Sequence, residues 1–534
     1  MPPFGLPRDL APWIALALAV VVMAFGPRLV RPTARRRVFL GVAALASASL
    51  SAAYVVAYLR GGPRIIDATS YYLEARAIAQ GLFAWPVESP ETAVLGRFLV
   101  RGVGPDGAHA AVIFPPGYPL VLALGFLLHA PLAIGPLLAA GLAVATWDLA
   151  DRVTRADPLA PRAKALLGVP EIAAVFSVIC AALRYHTADT MSHGLAALCA
   201  TSALALGFRA VDAFSERALR RAAWLAVGVG LALGWLVATR PVSAVAVALT
   251  LALLVFSSAS SAALDSRARF RLLCLVAVGA LPGLLLLFAH QRAAVGSLGL
   301  SSQRAYYAAA DGPPGCFRYG FGVGVGCIGE HQDFVAAHLA RGYHGFEALG
   351  TTLRRLEQHL VDPLNAEPLA LLVVLGAVLA LRARGSRARL LALAVFFQIV
   401  AYAPFYFDGN YPGGGARFFA DVLPLEHVLA AIATVSIASR FRSPERWAAL
   451  APALALVGFA VRAGFDHAQL RDREGGRPMF EARVLAGSSF DHGLVFVDTD
   501  HGFNLGFDPA ATARKAASTS GFEVVRFHGD GVDR

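Results

Sequence analysis

The sequence has 534 residues, of which 57% are hydrophobic and 16% are charged, and its mean hydropathy is +0.58. A typical soluble domain carries about 25% charged residues, so the composition predicts an integral membrane protein. It excludes a large soluble catalytic domain before the last part of the chain. The formal net charge is +11, but the arginines form short clusters between apolar runs. The positive-inside rule accounts for such clusters, and we expect no nucleic-acid partner.

Apolar runs of about 20 residues, the length that crosses a bilayer, recur along the chain. They predict an all-α polytopic membrane fold of twelve spans. The first run lacks a basic flank and a small-residue cleavage site, so we interpret it as a retained helix and not as a signal peptide. The spans are predicted at about 11–29, 38–59, 131–150, 166–183, 192–209, 222–239, 241–257, 271–289, 366–381, 390–407, 420–438 and 446–463.

Three parts of the chain follow from these spans. Residues 1–37 are predicted to hold an extra N-terminal helix and a basic cytoplasmic loop. Residues 38–463 form the transmembrane domain, with outer loops at 60–130 and 290–365. Residues 464–534 are predicted to form a small extramembrane α/β segment.

The distribution of basic residues predicts the sidedness. Six alternate loops between the spans hold 22 Lys and Arg, whereas the three short loops on the opposite face hold three. The basic face is therefore expected to be cytoplasmic. Both termini and the two long loops then lie outside, in the periplasm if the protein belongs to a bacterial inner membrane. This parity requires that residues 115–129 lie at the interface or re-enter without crossing.

The cysteines agree with that topology. Three of them fall inside predicted spans, whereas Cys316 and Cys327 bracket FRYGFGVGVG in the long outer loop. An oxidising compartment permits a disulfide there, and we favour a bridge over two unpaired thiols. The glycine run between them lacks a following Lys-Ser/Thr and is interpreted as a tight turn, not as a phosphate-binding loop.

The stretch RIIDATSYYLEARAIAQG follows directly on a predicted span. Tyr71, Ala75, Ile78 and Leu82 recur at helical spacing, which predicts an amphipathic helix along the membrane interface. Asp67 stands at the start of that helix. One interpretation is an N-cap, which binds free backbone N–H groups. The other, which we favour, is a catalytic carboxylate at the outer mouth of a span.

Four motifs together resemble the GT-C superfamily of membrane glycosyltransferases, which use polyprenyl-phosphate sugars at the outer membrane face. DATSYYLEARAIAQG (67–81) is similar to its first-loop acid and the helix that follows, and FPPGYPLVLALGFLL (114–128) to its Pro-Pro-x-Tyr-Pro element. GLALGWLVATRPVSAV (230–245) is similar to its Arg-Pro helix boundary, and GNYPGGGARFFADVLPLEHVL (409–429) to its late Arg-aromatic segment.

The resemblance extends over most of residues 38–440. Within the superfamily, the sequence is similar to the protein mannosyltransferase and aminoarabinose transferase families. The resemblance implies that Asp67 is the catalytic base and that Arg417 binds the lipid phosphate, with Arg240 as a second phosphate contact. Many members have an acidic pair where this sequence has Ile66-Asp67. The simpler interpretations are a snorkelling interfacial residue for Arg417 and a turn residue for Arg240.

The same chemistry follows from the residue types. Transfer of a sugar from a lipid phosphate needs a base for the acceptor hydroxyl. Phosphate leaves as a stable anion, so the second requirement is a cation and not a general acid. The planar guanidinium of arginine suits that anion.

Further polar residues are candidates for the substrate pocket. Tyr71 and Tyr118 belong to the two first-loop motifs, and His290 and Arg304 lie at the start of the long outer loop. His186, Asp189 and His193 have metal-ligand types at i, i+3 and i+7. Because the sequence breaks between two spans there, one continuous helical face is not expected. We favour a polar cavity lining without a metal, and we expect no cofactor.

The tail differs in composition from the rest. Residues 494–497 and 521–529 are strand candidates that can form a small sheet over the outer face. Asp498-Thr499-Asp500 looks like the Asp-x-Asp of nucleotide-sugar enzymes, but it is predicted on the side where those sugars are absent. We interpret it as a turn.

The sequence therefore predicts an inverting glycosyltransferase of the inner membrane whose partners are a lipid-linked sugar donor, membrane lipids and an acceptor of unspecified class. The alternative is a transporter or flippase of envelope precursors, for which twelve spans are also typical. Against it, ionisable residues crowd the outer ends of the spans and no half-length repeat is apparent. A third possibility is an inactive scaffold that retains GT-C helices.

Overall fold

Apolar helices make up most of the chain, as its composition predicts. The computed structural model describes residues 36–87, 96–103, 109–155, 168–256, 264–309, 315–383, 385–409, 414–476, 478–481, 484–485, 487–510, 521–527 and 529. Its helices are α1 Arg36–Ala57, α2 Ile66–Ala79, α3 Gly117–Leu127, α4 Ile134–Arg155, α5 Val169–Ile179, α6 Ala181–Ala188, α7 His193–Ser215, α8 Leu219–Thr239, α9 Pro241–Phe256, α10 Ser266–Val295, α11 Ser302–Ala309, α12 Ile328–His338, α13 Gly345–His359, α14 Ala370–Arg382, α15 Arg387–Tyr402, α16 Leu423–Ala438, α17 Pro444–Val461 and α18 Asp500–Gly506.

Seven helical stretches in the described part of the chain are long and apolar enough to cross a membrane, and the bent pair α5–α6 makes an eighth if it is one span. Every predicted span from 38–59 onward has a helix at its position. However, α9, α14 and α15 have only 13 to 16 residues, so the predicted total of twelve spans is not established. The predicted first span, 11–29, lies outside the described residues. The seven are Arg36–Ala57, Pro131–Arg155, His193–Ser215, Leu219–Thr239, Ser266–Val295, Arg417–Ala438 and Pro444–Arg473.

The predicted span 166–183 is not one straight helix. It is broken into α5 and α6 with a bend of 57°. The side chain of Asn365 replaces the lost helical hydrogen bonds: its Oδ1 accepts from the Ala181 N–H at 2.7 Å, and its Nδ2 donates to the Ile179 carbonyl at 2.7 Å. A break at membrane depth is stable only where such partners satisfy the freed backbone groups.

Helices α8 and α10 pack with their backbones in close approach. A Cβ atom placed on Gly234 would overlap the backbone of Ala280, and one on Gly283 would overlap the backbone of Gly234 itself. Small residues at such crossings allow dispersion contacts between helices that have no hydrophobic driving force within lipid. This packing fixes the end of α8, where Arg240 follows.

Helix α2 differs from the amphipathic interfacial helix that the sequence predicts. Tyr71 and Ala75 are buried as expected, but so are Ser70 and Glu74 on other faces, and Leu82 lies beyond the helix end. The reason is that other elements cover α2: the ring of Phe114 stacks on Tyr71 with centroids 4.5 Å apart, and α18 of the tail packs against it. An interfacial helix with one exposed face is therefore a wrong prediction for this segment.

The N-cap interpretation of Asp67 is also wrong. The N-cap position belongs to Ile65, which has no capping side chain, and Asp67 lies within the first turn of α2. A carboxylate there still interacts favourably with the positive end of the helix dipole.

Helix α3 begins with the Pro-Pro-Gly-Tyr-Pro segment. Its 11 residues span only about 16 Å, roughly half the hydrocarbon thickness. The indole N–H of Trp235 on α8 donates to the Gly117 carbonyl at 3.1 Å. The short length agrees with the prediction that residues 115–129 do not cross.

Two small sheets accompany the helices. Strands β1 Trp85–Pro86, β3 His109–Val112 and β2 Leu99–Val103 form an antiparallel sheet in that order. In the tail, β4 His492–Val497 pairs in parallel with β5 Gly521–Arg526, so both predicted strand segments are confirmed. Thr499 caps α18 by accepting the Gly502 N–H at 3.0 Å. The Asp-Thr-Asp motif therefore leads from strand into helix, as its interpretation as a turn requires.

Candidate active site

A cavity of about 1040 Å³ opens where several apolar helices end. Its walls come from the start of α2, the α8–α9 junction and the short 3₁₀ helix Arg417–Val422, and from the segments around residues 97–98, 301–308 and 315–319. Two residues of the tail region, Arg473 and His501, complete the lining. Segments that are distant in sequence thus share one site at the ends of the spans.

Asp67 and Arg417, the two residues that the motifs single out, both line this cavity. Nη1 of Arg417 lies 3.5 Å from Oδ1 of Asp67, and their side chains are 15% and 23% exposed. The guanidinium also lies over the Phe418 ring, 5.4 Å from its centroid. An ion pair that is partly open to a cavity can exchange its partner for a ligand, because neither charge is sealed in the protein.

A buried network holds the loop before Arg417 in place. Asp362 accepts the Ala416 N–H at 2.9 Å and an N–H of Arg462 at 2.7 Å. Gly415 has a φ of +55°, and a Cβ atom there would overlap the Asp362 carboxylate. The loop can therefore approach Asp362 only with glycine at this position.

The network extends to His359 at the end of α13. Its Nε2 lies 2.9 Å from Oε2 of Glu426, and its Nδ1 lies 3.5 Å from Asp362. Burial alone would lower the pKa of His359, but the carboxylates of Glu426 and Asp362 raise it to about 10. His359 is therefore a cation at neutral pH and balances the two acids.

Arg240 lies in the cavity wall and is held by a second buried acid. Its Nε donates to Asp421 at 2.7 Å, and its Nη2 donates to the hydroxyl of Tyr402 at 2.7 Å. Asp421 also accepts from Ser243 at 2.6 Å. Most of the charge of Arg240 is therefore matched inside the protein. As the predicted second phosphate contact, Arg240 is less available to a ligand than Arg417.

His186, Asp189 and His193 are each bonded to a different partner. Nε2 of His186 bonds the Gly414 carbonyl at 3.0 Å, and Nδ1 of His193 lies 3.4 Å from Asp421. Asp189 accepts from Tyr185 and from the Thr190 N–H. All three are buried, His193 alone lines the cavity, and the described residues contain no group of three or more His, Cys, Asp and Glu suited to a metal ion.

The other predicted pocket residues divide into two groups. Tyr71 and Arg304 line the cavity. The ring of Tyr118 packs edge-on against Tyr71, with centroids 5.8 Å apart. His290 is buried, and its Nε2 lies 3.2 Å from Oε1 of Glu74. Neither Tyr118 nor His290 is among the residues that line this cavity.

The sulfurs of Cys316 and Cys327 are joined, in the pairing that the sequence analysis favours. The closed loop brings Phe317, Arg318 and Tyr319 to the cavity. The glycines between the cysteines have positive φ, as a tight turn requires. Covalent closure therefore shapes one wall of the site.

Positive charge predominates among the residues that line the cavity. Among the described lining residues Asp67 is the one carboxylate, against seven arginines. Burial, together with Arg417 and Arg97, lowers the pKa of the neighbouring His331 to about 4, so that histidine adds no charge at neutral pH. The excess positive charge favours anionic ligands. The seven arginines are Arg64, Arg97, Arg240, Arg304, Arg318, Arg417 and Arg473.

Sequence reasoning missed the acids behind the two predicted arginines. Asp421 and Glu426 are ionisable residues at the start of an apolar helix, which is a recognisable sign of a functional role. Asp362 and Arg473 carried no such sign, because both lie in polar segments outside the predicted spans. Their importance depends on contacts between distant parts of the chain.

No protein-family model matches the sequence, and no curated protein matches it significantly. Solved structures do match. A crystal structure of ArnT from Cupriavidus metallidurans in the apo state is 14% identical, with a TM-score of 0.47 over 85% of this chain and 83% of that one. A second ArnT structure from the same organism, bound to undecaprenyl phosphate, is 12% identical, with a TM-score of 0.47 over 91% of this chain and 89% of that one.

The arabinosyltransferase EmbB from Mycobacterium smegmatis is 17% identical, with a TM-score of 0.41; the match covers 78% of this chain but 33% of EmbB. ArnT and EmbB are GT-C glycosyltransferases, the superfamily that the sequence motifs resemble. These proteins are what the chain is similar to, at TM-scores below 0.5 that establish no activity for it.

Proposed function

We propose that this chain is a glycosyltransferase that moves a sugar from a polyprenyl-phosphate carrier to an acceptor hydroxyl at the outer face of a bacterial inner membrane. The observation that carries the proposal is the Asp67–Arg417 pair. It places one carboxylate within 3.5 Å of a guanidinium in a cavity whose other charged lining residues are arginines. A base and an anion-binding group are what this reaction requires.

In the proposed reaction Asp67 accepts the proton of the acceptor hydroxyl. The acceptor oxygen then attacks the anomeric carbon of the sugar, and the bond from that carbon to the phosphate oxygen breaks. Its electron pair leaves with the phosphate, whose charge Arg417 stabilises. A single displacement of this kind inverts the anomeric configuration.

Arg240 supports this step from the cavity wall. Asp421 and Tyr402 fix its guanidinium through Nε and Nη2, whereas its Nη1 makes no hydrogen bond among the described residues. Tyr402 and Phe418 stack with centroids 4.9 Å apart beside both arginines. Rigid aromatic and buried acidic neighbours keep the two guanidinium groups oriented, which limits the reorganisation needed when the phosphate binds.

The proposed side of the membrane follows from the arginine clusters of the alternate loops. If those loops are cytoplasmic, the cavity opens on the opposite face, where lipid-linked sugars replace nucleotide sugars as donors. Both termini would then be periplasmic. We also propose that transfer needs no divalent metal, because His186, Asp189 and His193 are bonded to different protein partners.

The test uses purified protein in lipid nanodiscs with a panel of polyprenyl-phosphate sugars, and it follows release of free polyprenyl phosphate with and without EDTA. We expect release from one donor class, insensitive to EDTA. The variant Asp67→Asn should lose at least about 100-fold of the rate, because general-base catalysis contributes about that much or more. Arg417→Gln should weaken binding of undecaprenyl phosphate about tenfold, the effect of losing one charge-assisted bond.

Asp472→Asn is the matched control, since Asp472 is 68% exposed and does not line the cavity. It should behave as wild type. Unchanged release by a folded Asp67→Asn variant would remove Asp67 as the base. Absence of release from every donor would favour the transporter or scaffold alternatives, and loss of release in EDTA that Mg²⁺ or Mn²⁺ restores would contradict the metal-free mechanism.

A further inference from the structure

The cavity carries more positive charge than the proposed donor can match. A polyprenyl-phosphate sugar is a phosphodiester with one negative charge. Seven arginines and one carboxylate line the described part of the cavity. Arg417 faces Asp67, and Arg240 is matched by Asp421 outside the lining. Cations therefore remain that neither the donor phosphate nor these acids neutralise.

Arg473 is the clearest of the remaining cations. It lies in the 3₁₀ segment His467–Gly476, which follows α17. This segment contacts the loop between α1 and α2, where Arg60 donates a hydrogen bond to the Gly476 carbonyl. The Nη1 of Arg473 is buried without a hydrogen-bond partner among the described residues, and it forms no ion pair there. The neighbouring acid, Asp472, pairs instead with Arg471 and Arg60.

Arg473 shares the cavity with the proposed base. Arg473 and Asp67 both line the cavity, and the buried carboxylate of Asp189 lies within electrostatic range of both. Arg304, on α11, lines the same cavity and forms no ion pair among the described residues. A buried N–H donor without a partner is costly to a fold, so its retention beside a cavity points to a ligand.

We propose that Arg473, assisted by Arg304, binds an anionic group on the acceptor, either a phosphate or a carboxylate. This inference rests on the proposed function, because it concerns the second substrate of the same cavity. The donor phosphate binds at Arg417, the acceptor anion binds at Arg473, and the acceptor hydroxyl reaches Asp67 between them. The tail region is thereby part of the active site and selects the acceptor by charge.

The test separates the two anion subsites with soluble probes. Protein in nanodiscs of zwitterionic phosphatidylcholine is first saturated with undecaprenyl phosphate. It is then titrated with glucose 6-phosphate, glucuronate, inorganic phosphate or uncharged glucose, and binding is measured by calorimetry and by the shift in melting temperature. We expect glucose 6-phosphate or glucuronate to bind the saturated protein, and glucose to leave it unchanged. Binding of inorganic phosphate alone would overturn the inference that the anion belongs to an acceptor.

The variant Arg473→Gln should weaken the charged sugar probe about tenfold or more, and Arg473→Lys should retain part of the affinity. Binding of undecaprenyl phosphate should stay unchanged in both. Arg471→Gln is the matched control, since Arg471 lies two residues away, is 53% exposed and does not line the cavity. Arg304→Gln provides a second, independent variant if Arg473→Gln fails to fold.

Equal binding of the probe by wild type and Arg473→Gln would overturn the inference, as would displacement of undecaprenyl phosphate by the probe. Failure of the proposed function has a different signature: undecaprenyl phosphate would then neither bind nor be released from any donor, whatever the probes do. The two outcomes are therefore distinguishable in one set of samples.

Discussion

The charged residues of the site differ chiefly in how far each is enclosed. Asp67 and Arg417 keep part of their surface in the cavity, whereas Asp362 and Asp421 are buried, and each is bonded to an arginine. A buried carboxylate is stable only when such partners compensate its lost hydration. The enclosed acids thus orient cations, and the partly open acid remains available for chemistry.

Glu74, seven residues after Asp67, is a buried acid with a different role. It lies 3.2 Å from Nε2 of His290, and both side chains are 1% exposed. Burial raises the pKa of Glu74 above its ordinary 4.5, because desolvation penalises the charged form. In the folded protein, burial therefore favours the protonated form of Glu74, although the contact with His290 opposes that shift of the pKa.

The pH dependence of stability should show this. A raised pKa in the folded state means that the folded protein binds the proton more tightly than the unfolded protein. The stability from Glu74 is then fully present below pH 4.5 and is lost as the pH rises through the folded pKa. Melting temperatures between pH 4 and 8 should fall less with pH in Glu74→Gln than in wild type. Glu216→Gln, at a site that is 62% exposed, should follow wild type, and equal slopes for Glu74→Gln would contradict the prediction.

At the scale of elements, the site depends on loops that buried networks hold and not on regular helix faces. Helix α2 is enclosed by α3 and by α18 of the tail, which donates from Asn504 to Ser70 at 2.9 Å. The loop before Arg417 is fixed through Ala416 to Asp362. The orientation of both catalytic candidates is therefore set by the elements that pack against α2 and against the loop before Arg417.

Substitution of Gly415 should test that arrangement. Gly415→Ala places a Cβ atom against the Asp362 carboxylate, so the loop must shift and Arg417 with it. We expect about tenfold weaker binding of undecaprenyl phosphate, as when a charge-assisted bond is lost. Gly385→Ala is the matched control: its φ is also positive, at +77°, but nothing lies within 4 Å of its added Cβ atom. Equal affinities for the two variants would show that the contact with Asp362 does not position Arg417.

At the scale of the whole molecule, the proposed topology places the cavity, the long loop and the tail on one side of the membrane. The disulfide between Cys316 and Cys327 belongs to that side, and such bonds persist in oxidising compartments. The closed loop carries Phe317 and Arg318 to the cavity wall. The same disulfide therefore shapes the cavity wall and, because it needs an oxidising compartment, supports the proposed side of the membrane.

Two measurements follow for the disulfide. Mass spectrometry of membranes alkylated before lysis should find the peptide pair linked through residues 316 and 327, and not two alkylated thiols. The double variant Cys316→Ser/Cys327→Ser should lose about 2–3 kcal/mol of stability, the typical effect of opening a loop of this length, and should bind the donor more weakly. Cys274→Ser is the control, as Cys274 is a free thiol. Free thiols at 316 and 327 in the cell would contradict the outer location.

The sequence by itself determined the membrane class, the position of most helices, the short length of α3, the pairing of Cys316 with Cys327 and the choice of Asp67 and Arg417 as candidate site residues. These depend on local apolar runs, turn residues and motifs, whose physical meaning does not require the rest of the chain. It misjudged α2 and the span 166–183, because other elements override their local patterns: α18 and α3 cover the polar faces of α2, and Asn365 supports a break in the span.

Only the tertiary structure decided which polar residues surround the cavity. Arg473 of the tail region lines it, whereas Tyr118 and His290 do not. It also decided that Asp362 and Asp421 orient the predicted arginines. Neighbours within a helix are set by the helical repeat, but contacts between segments far apart in the chain are set by how the spans pack, and no local pattern records that packing.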